Sequence, residues 1–293
     1  MTARPPFPDE PLLREIEGVA VELAQLGGAE IRAALGGLLR VKYKGVEDDP
    51  THFRDPVSEV DARVEALIRD RLAERFPQHD IVGEEIDHRP GLGHDFLWAV
   101  DPIDGTANFI NGFPLFASSV GVLYRGWPVA GAVWCSASHA LEPGVYHGAT
   151  AGEGGVRFNG APLDVRPNPA IRRRLGGEPR ASPGASPGGS VGTSAQAAPS
   201  WDGRKTGSAA IECAFVAAGL LQMAWFERPN IWDVAGGTAL VLAGGLHALE
   251  RRGDAWTAFD GFSAGEMEPG AWIAPLAIGD AAALERFAES GMG

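Results

Sequence analysis

From Pro11 to about Leu35 the apolar residues fall at Leu12, Leu13, Ile16, Val19, Leu23 and Leu26. That three-to-four spacing predicts one amphipathic helix. The spacing returns at Val60, Val64, Leu67, Ile68, Leu72 and Phe76, behind Ser58-Glu59-Val60-Asp61. A serine followed three positions later by an acid predicts a capping box at the start of this second helix. Short apolar runs then replace the helical period: Asp80 to Gly83, Phe96 to Val100, Ser118 to Tyr124 and Trp127 to Cys135. Arg125-Gly126 between the last two predicts an antiparallel hairpin. Beyond Gly207 the pattern alternates as helix 208–218, strand 221–226, helix 233–243 and strand 247–250. Alternation of this kind predicts an α/β half.

One stretch breaks the pattern. Between Gly176 and Ser200, 20 of 25 residues are Gly, Pro, Ser or Ala, and Val191 is the one large aliphatic. Such a segment has too little apolar surface to offset the entropy of ordering it, so a mobile insertion at 176–200 is expected. An N-terminal α+β subdomain, 1–150, is expected to be followed by a C-terminal α/β subdomain, 151–293, that contains this insertion. The 293 residues suffice for one large domain or two ordinary ones.

Charge narrows the function. Lys and Arg number 25 and Asp and Glu 38, a formal charge of −13. Binding to nucleic acid or to an anionic membrane needs a basic face, which this balance argues against. An acidic enzyme can still act on phosphates if it recruits cations. The two cysteines, Cys135 and Cys213, are expected as small buried hydrophobes in a reducing compartment. The chain opens on prolines and acids rather than a basic stretch with an apolar core, and no long uncharged apolar run follows. A soluble cytoplasmic protein is expected.

The chemistry concentrates in Trp98-Ala99-Val100-Asp101-Pro102-Ile103-Asp104-Gly105-Thr106-Ala107-Asn108-Phe109. An apolar strand runs into two aspartates three apart, and carboxylates at a strand end face the crevice where open α/β sheets hold ligands. Pro102 fixes a dihedral between the acids. Gly105 and Thr106 offer backbone N–H groups where a helix starts, a seat for a phosphate oxygen. Acids beside anion-binding amides make sense if a cation bridges them, and hard oxygen ligands shared with phosphate point to magnesium rather than zinc. Glu84, in Gly83-Glu84-Glu85, and Asp233, in Trp232-Asp233-Val234-Ala235-Gly236, complete four negative charges that two divalent ions would neutralise. Asp233 is also expected to serve as a helix N-cap.

These motifs, GEE, DPIDGTANF and WDVAGG in that order, resemble those of the inositol monophosphatase family of magnesium-dependent, lithium-sensitive phosphatases. The resemblance runs from about Lys44 to Ala274. It implies a layered α-β-α-β-α sandwich of two subdomains with the metals at their junction. It implies that Glu84, Asp101 and the Ile103 carbonyl hold a first magnesium, and Asp101, Asp104 and Asp233 a second, with two or three ions in all. The Gly105 and Thr106 amides would receive phosphate, and Glu84 and Thr106 would position the attacking water. Asp55, first acid of Asp55-Pro56-Val57-Ser58-Glu59-Val60-Asp61, would orient the Thr106 hydroxyl. A homodimer is a further family expectation.

The departures concern the substrate. Glu227 lies six residues before Asp233, one fewer than the sugar-contacting glutamate of inositol-selective members, and Met223 stands where those members carry another acid. Glu227 is retained as a substrate-binding candidate within an altered ring-binding wall. The expected activity is hydrolysis of a small phosphorylated metabolite: an inositol, sugar or amino-alcohol phosphate. The alternatives are a 3′-phosphonucleotide or fructose bisphosphate phosphatase on the same scaffold, or a regulatory homologue acting through protein or RNA. Gly184-Ala185-Ser186-Pro187-Gly188 matches a nucleophile-elbow pattern but lacks the strand and helix that motif requires.

Overall fold

The computed structural model of the protein describes residues 7–44, 56–86, 94–151, 154–164, 168, 170–171, 174–178, 201–262, 272 and 274–290. Helix α1 (Glu10–Ala34) starts at Asp9, whose carboxylate accepts the Leu12 N–H at 3.2 Å. It buries Leu13, Ile16, Val19 and Leu23, and leaves Leu12 and Leu26 half-buried. A short antiparallel pair, β1 (Val41–Tyr43) and β2 (Pro56–Ser58), leads into α2 (Glu59–Arg75). The expected stripe on α2 is rotated: Leu67 is 37% exposed, whereas Asp61 and Glu65 are wholly buried. At 3.6 residues per turn, positions 61, 65, 68 and 72 share the centre of one face and 67 falls at its margin.

A seven-stranded sheet follows. β3 (Asp80–Gly83) lies parallel to β4 (Phe96–Asp104), and a one-turn helix α3 (Thr106–Ile110) follows β4. β5 (Ala117–Tyr124), β6 (Trp127–Cys135), β7 (Gly144–Ala149), β8 (Arg157–Phe158) and β9 (Ala161–Pro162) extend it as an antiparallel meander. The sheet thus continues past residue 150, because β8 and β9 pair back onto β7.

The second sheet takes its strands out of order. β10 (Arg174–Gly177) sits between β11 (Trp201–Arg204) and, beyond α4 (Ala209–Ala217), β12 (Met223–Phe226). After α5 (Ile231–Ala243) come β13 (His247–Arg252), β14 (Ala255–Ala258) and β15 (Leu276–Gly279), and α6 (Ala281–Glu289) ends the fold. β15 pairs antiparallel with both β12 and β13. Gly176 and Gly177, expected in the insertion, are strand residues of β10 paired with Met223 and Ala224. Residues 179–200 of that insertion lie outside the described residues.

The layers are α1 and α2, the first sheet, α4 and α5, the second sheet, and α6. α5 lies against the first sheet so closely that a Cβ on Gly121 would collide with the backbone of Ala235 and Gly236. Gly121 therefore sets the approach, and it brings the first turn of α5, with Asp233, over the strand that carries Asp101. Both cysteines are buried and unbridged. Among the described residues no helix is long and apolar enough to cross a membrane.

Candidate active site

The two aspartates of β4 stand at a bulge. Asp101 pairs with Ser119 and Asp104 with Ala117, so two residues on β4, Pro102 and Ile103, stand against one on β5, Ser118. Pro102 inside the bulge has no N–H to lose from the ladder. Gly105, directly after, takes φ +89°, a left-handed turn that only glycine adopts without strain, and starts α3 at Thr106.

Asp101 is 2% exposed, and its Oδ1 has no hydrogen-bond donor among the described residues. Burial pushes its carboxyl well above the ordinary range, and Glu84, Asp104, Asp233 and Asp61 push the same way. Asp233 is raised likewise, first by burial and then by Asp104. The four expected carboxylates are thus neighbours that repel one another. Each of the other three nevertheless has a protein partner. Lys44 Nζ lies 2.8 Å from Glu84 Oε1 and 2.7 Å from Glu85 Oε1. Asp104 Oδ2 accepts from Ser208 Oγ at 2.7 Å and from the Ala210 N–H at 2.5 Å. Asp233 Oδ2 accepts the Asn230 N–H at 2.9 Å. Asp233 is therefore the third residue of a capping box whose N-cap is Asn230, not the N-cap itself. With these partners, no three Asp, Glu, His or Cys groups among the described residues converge at metal-ligand distance. The donor set still fits a divalent metal: all oxygens, one of them buried without any donor.

Thr106 Oγ1 lies 3.0 Å from Asp61 Oδ1 and 2.9 Å from the Ile103 carbonyl oxygen, so one proton is shared between two acceptors. Asp55, expected in this place, lies outside the described residues; among the described residues the carboxylate that reaches Thr106 is Asp61. Asp61 is in turn held by Ser58, whose N–H donates to Oδ2 at 2.9 Å. Its position is legible afterwards: the capping-box acid of α2 is one turn from the helix start, beside the bulge. Burial raises the Asp61 carboxyl, against the lowering effect of its Ser58 and Thr106 hydrogen bonds.

The wall formed by the second half differs from expectation. Met223 is fully buried and packs with Trp201, Ala277, Leu284 and Phe287, so its side chain does not face a substrate. Glu227 follows β12 on an exposed turn. Glu212, which sequence reasoning passed over, is buried on α4, and its Oε1 accepts the Thr206 N–H and hydroxyl at 3.1 and 2.9 Å. Burial pushes its pKa up to about 8. Asn108 Nδ2 donates to the Thr206 carbonyl at 2.8 Å, tying α3 to this turn.

Comparison with known proteins places this geometry. The sequence model of the inositol monophosphatase family matches residues 12–273. The chain is 32% identical over 250 residues to the chloroplastic phosphatase IMPL1 of Arabidopsis thaliana, covering 82% of this chain and 64% of that protein. It is 32% identical over 241 residues to a fructose-1,6-bisphosphatase/inositol-1-monophosphatase of Aquifex aeolicus, covering 81% and 86%. A solved IMPase/NADP phosphatase complexed with Mg2+ and phosphate superposes with a TM-score of 0.69 at 21% identity, over 95% of each chain.

Proposed function

The chain belongs to the inositol monophosphatase family, and from that premise we propose that it hydrolyses a small phosphate monoester with magnesium. Glu84, Asp101, the Ile103 carbonyl, Asp104 and Asp233 would hold two or three ions. The observation that carries this reading is Asp101: a buried carboxylate with a donorless oxygen, surrounded by four further acids, Glu84, Asp104, Asp233 and Asp61. Only cations resolve such repulsion without protonation. The magnesium bound in the superposed phosphatase supports the choice of ion.

Bound magnesium supplies charge neutralisation and polarises both a water and the phosphoryl oxygens. The chain's own groups then orient the reaction. The Thr106 proton is committed to Asp61 and the Ile103 carbonyl, so the Thr106 oxygen is left to accept from a water. Glu84 accepts a second bond from that water and aims it for in-line attack. The Gly105 and Thr106 amides receive phosphate oxygens at the start of α3. Asp104 is locked by Ser208 and the Ala210 amide, which keeps its orientation independent of substrate.

Glu227 remains the proposed contact to the alcohol portion of the substrate, from its exposed turn. A fructose bisphosphate substrate is the second reading, favoured by the dual name of the Aquifex relative. Lithium sensitivity, a homodimeric state and a cytoplasmic location belong to the same proposal. Phosphate release from a panel of inositol, sugar, amino-alcohol and nucleotide monophosphates, with fructose 1,6-bisphosphate added, tests it. Release from at least one of them that needs magnesium is expected. No magnesium-dependent release from any of them sinks the reading.

A further inference from the structure

A fully buried carboxylate outside the expected ligand set faces the loop that carries Glu84. Glu65 of α2 has no exposed surface. Its Oε2 accepts the Glu85 N–H at 2.7 Å and its Oε1 accepts the Ile86 N–H at 3.2 Å. Arg69, one turn along the same helix, donates to Glu65 Oε1 at 2.8 Å and reaches the Ile86 carbonyl at 3.3 Å. On the other side of Glu84, the Glu65 carboxylate lies against Gly83 so tightly that any Cβ there would overlap it. Glu84 is therefore bracketed: the residue before it is pressed on Glu65 and the two after it are hydrogen-bonded to Glu65.

The same helix holds the other water-positioning residue. Asp61, four residues before Glu65 and on the same buried face, holds Thr106. Thr106 and Glu84 follow β4 and β3, whose parallel pairing ends at Gly83 and Val100 and leaves both residues beyond the paired positions. Two carboxylates one helical turn apart hold both from the same side, because α2 is a rigid spacer with a 1.5 Å rise per residue.

We propose that Glu65 is a positioning residue that presets Glu84 for magnesium, and that α2 acts through Asp61 and Glu65 as the gauge between the two sides of the site. The proposal rests on the reading of Glu84 as a metal ligand. Outer carboxylates that orient a ligand are worth roughly ten- to a hundredfold in metal affinity when removed. A role confined to stability would lower the melting temperature and leave magnesium affinity untouched.

The test compares Glu65→Gln with Ile68→Val, a buried apolar change on the same helix, and with Glu84→Gln. Magnesium binding to the metal-free full-length protein is measured by calorimetry, and amide exchange is followed at residues 83–86. Glu65→Gln is expected to weaken magnesium binding about tenfold and to speed exchange of the Glu85 and Ile86 amides. Activity recovered at high magnesium is expected to return to within about threefold of the unsubstituted enzyme, because Glu84 itself is intact. Ile68→Val is expected to change none of these. Should Glu65→Gln fail to fold, Glu65→Asp, which keeps the charge but withdraws both oxygens by one methylene, carries the same expectations. Faster amide exchange with unchanged magnesium affinity overturns the proposal. Unchanged affinity in Glu84→Gln as well overturns it by removing Glu84 from the metal site, a failure of the underlying reading rather than of the clamp.

Discussion

Ser208 Oγ donates to Asp104 Oδ2 over 2.7 Å, joining the end of a strand in the first sheet to the N-cap of a helix packed between the sheets. Ser208 also accepts the Ile211 N–H at 3.2 Å, so one hydroxyl caps α4 and fixes an acid of the site. The two halves of the molecule therefore meet at a proposed metal ligand.

That contact sets the first prediction. Asp104→Asn keeps an oxygen for Ser208 but removes a proposed metal-ligating charge, and kcat should fall at least about a hundredfold at saturating magnesium. Ser208→Ala leaves the Ala210 amide on Asp104 and should cost no more than about tenfold. Near-normal turnover in Asp104→Asn would refute its place in the site.

Asp101→Asn should move stability in opposite directions with and without metal. In chelator, loss of a buried carboxylate crowded by four acids raises the melting temperature. With magnesium at about a hundred times its Kd, linkage adds about 2.7 kcal/mol to the unsubstituted protein, and the variant should gain clearly less. Thermal melts with EDTA and with magnesium decide it; equal gains in both proteins would contradict the assignment.

Thr106 and Asp61 should behave as one unit. Thr106→Ala and Asp61→Asn each remove the shared hydrogen bond, so each should lower kcat by roughly a hundredfold. The double variant should be little worse than either alone. Additive losses in a double-mutant cycle would mean that Asp61 acts elsewhere.

Glu212 gives a pH dependence with a definite sign. Its folded pKa is raised to about 8 from the usual carboxylate range, so the folded state holds the proton more tightly than the unfolded chain. Its contribution to stability is full below the unfolded pKa of about 4.5 and is lost as pH rises through about 8. Glu212→Gln keeps an acceptor for Thr206 and cannot ionise, so it should gain on the unsubstituted protein by a few kcal/mol between pH 5 and pH 9. Urea unfolding in chelator at those two pH values measures the difference, and a constant gap would show that Glu212 does not titrate in this window.

The sequence by itself determined the family motifs and most of the elements that carry them. Local rules suffice for a capping box at Ser58, an apolar strand ending in Asp101 and Asp104, and a glycine turn into Thr106, since each depends on residues a few positions apart. The sequence did not show that Asp61 reaches Thr106, because only the path of α2 brings its carboxylate to the hydroxyl. Nor could it show Glu65 as anything but a polar residue in a helix, since its partners at Glu85 and Ile86 lie about 20 residues away. Met223, four residues before Glu227, is expected in the substrate wall, but strand β12 turns that side chain into the core beside Trp201 and Phe287. Alternation along a strand decides only that neighbours face opposite ways; which face is core is decided by what packs on the sheet. Identity and spacing of reactive groups are local properties of the chain, whereas their partners and orientation belong to the packing of α2, α4 and α5 around two sheets.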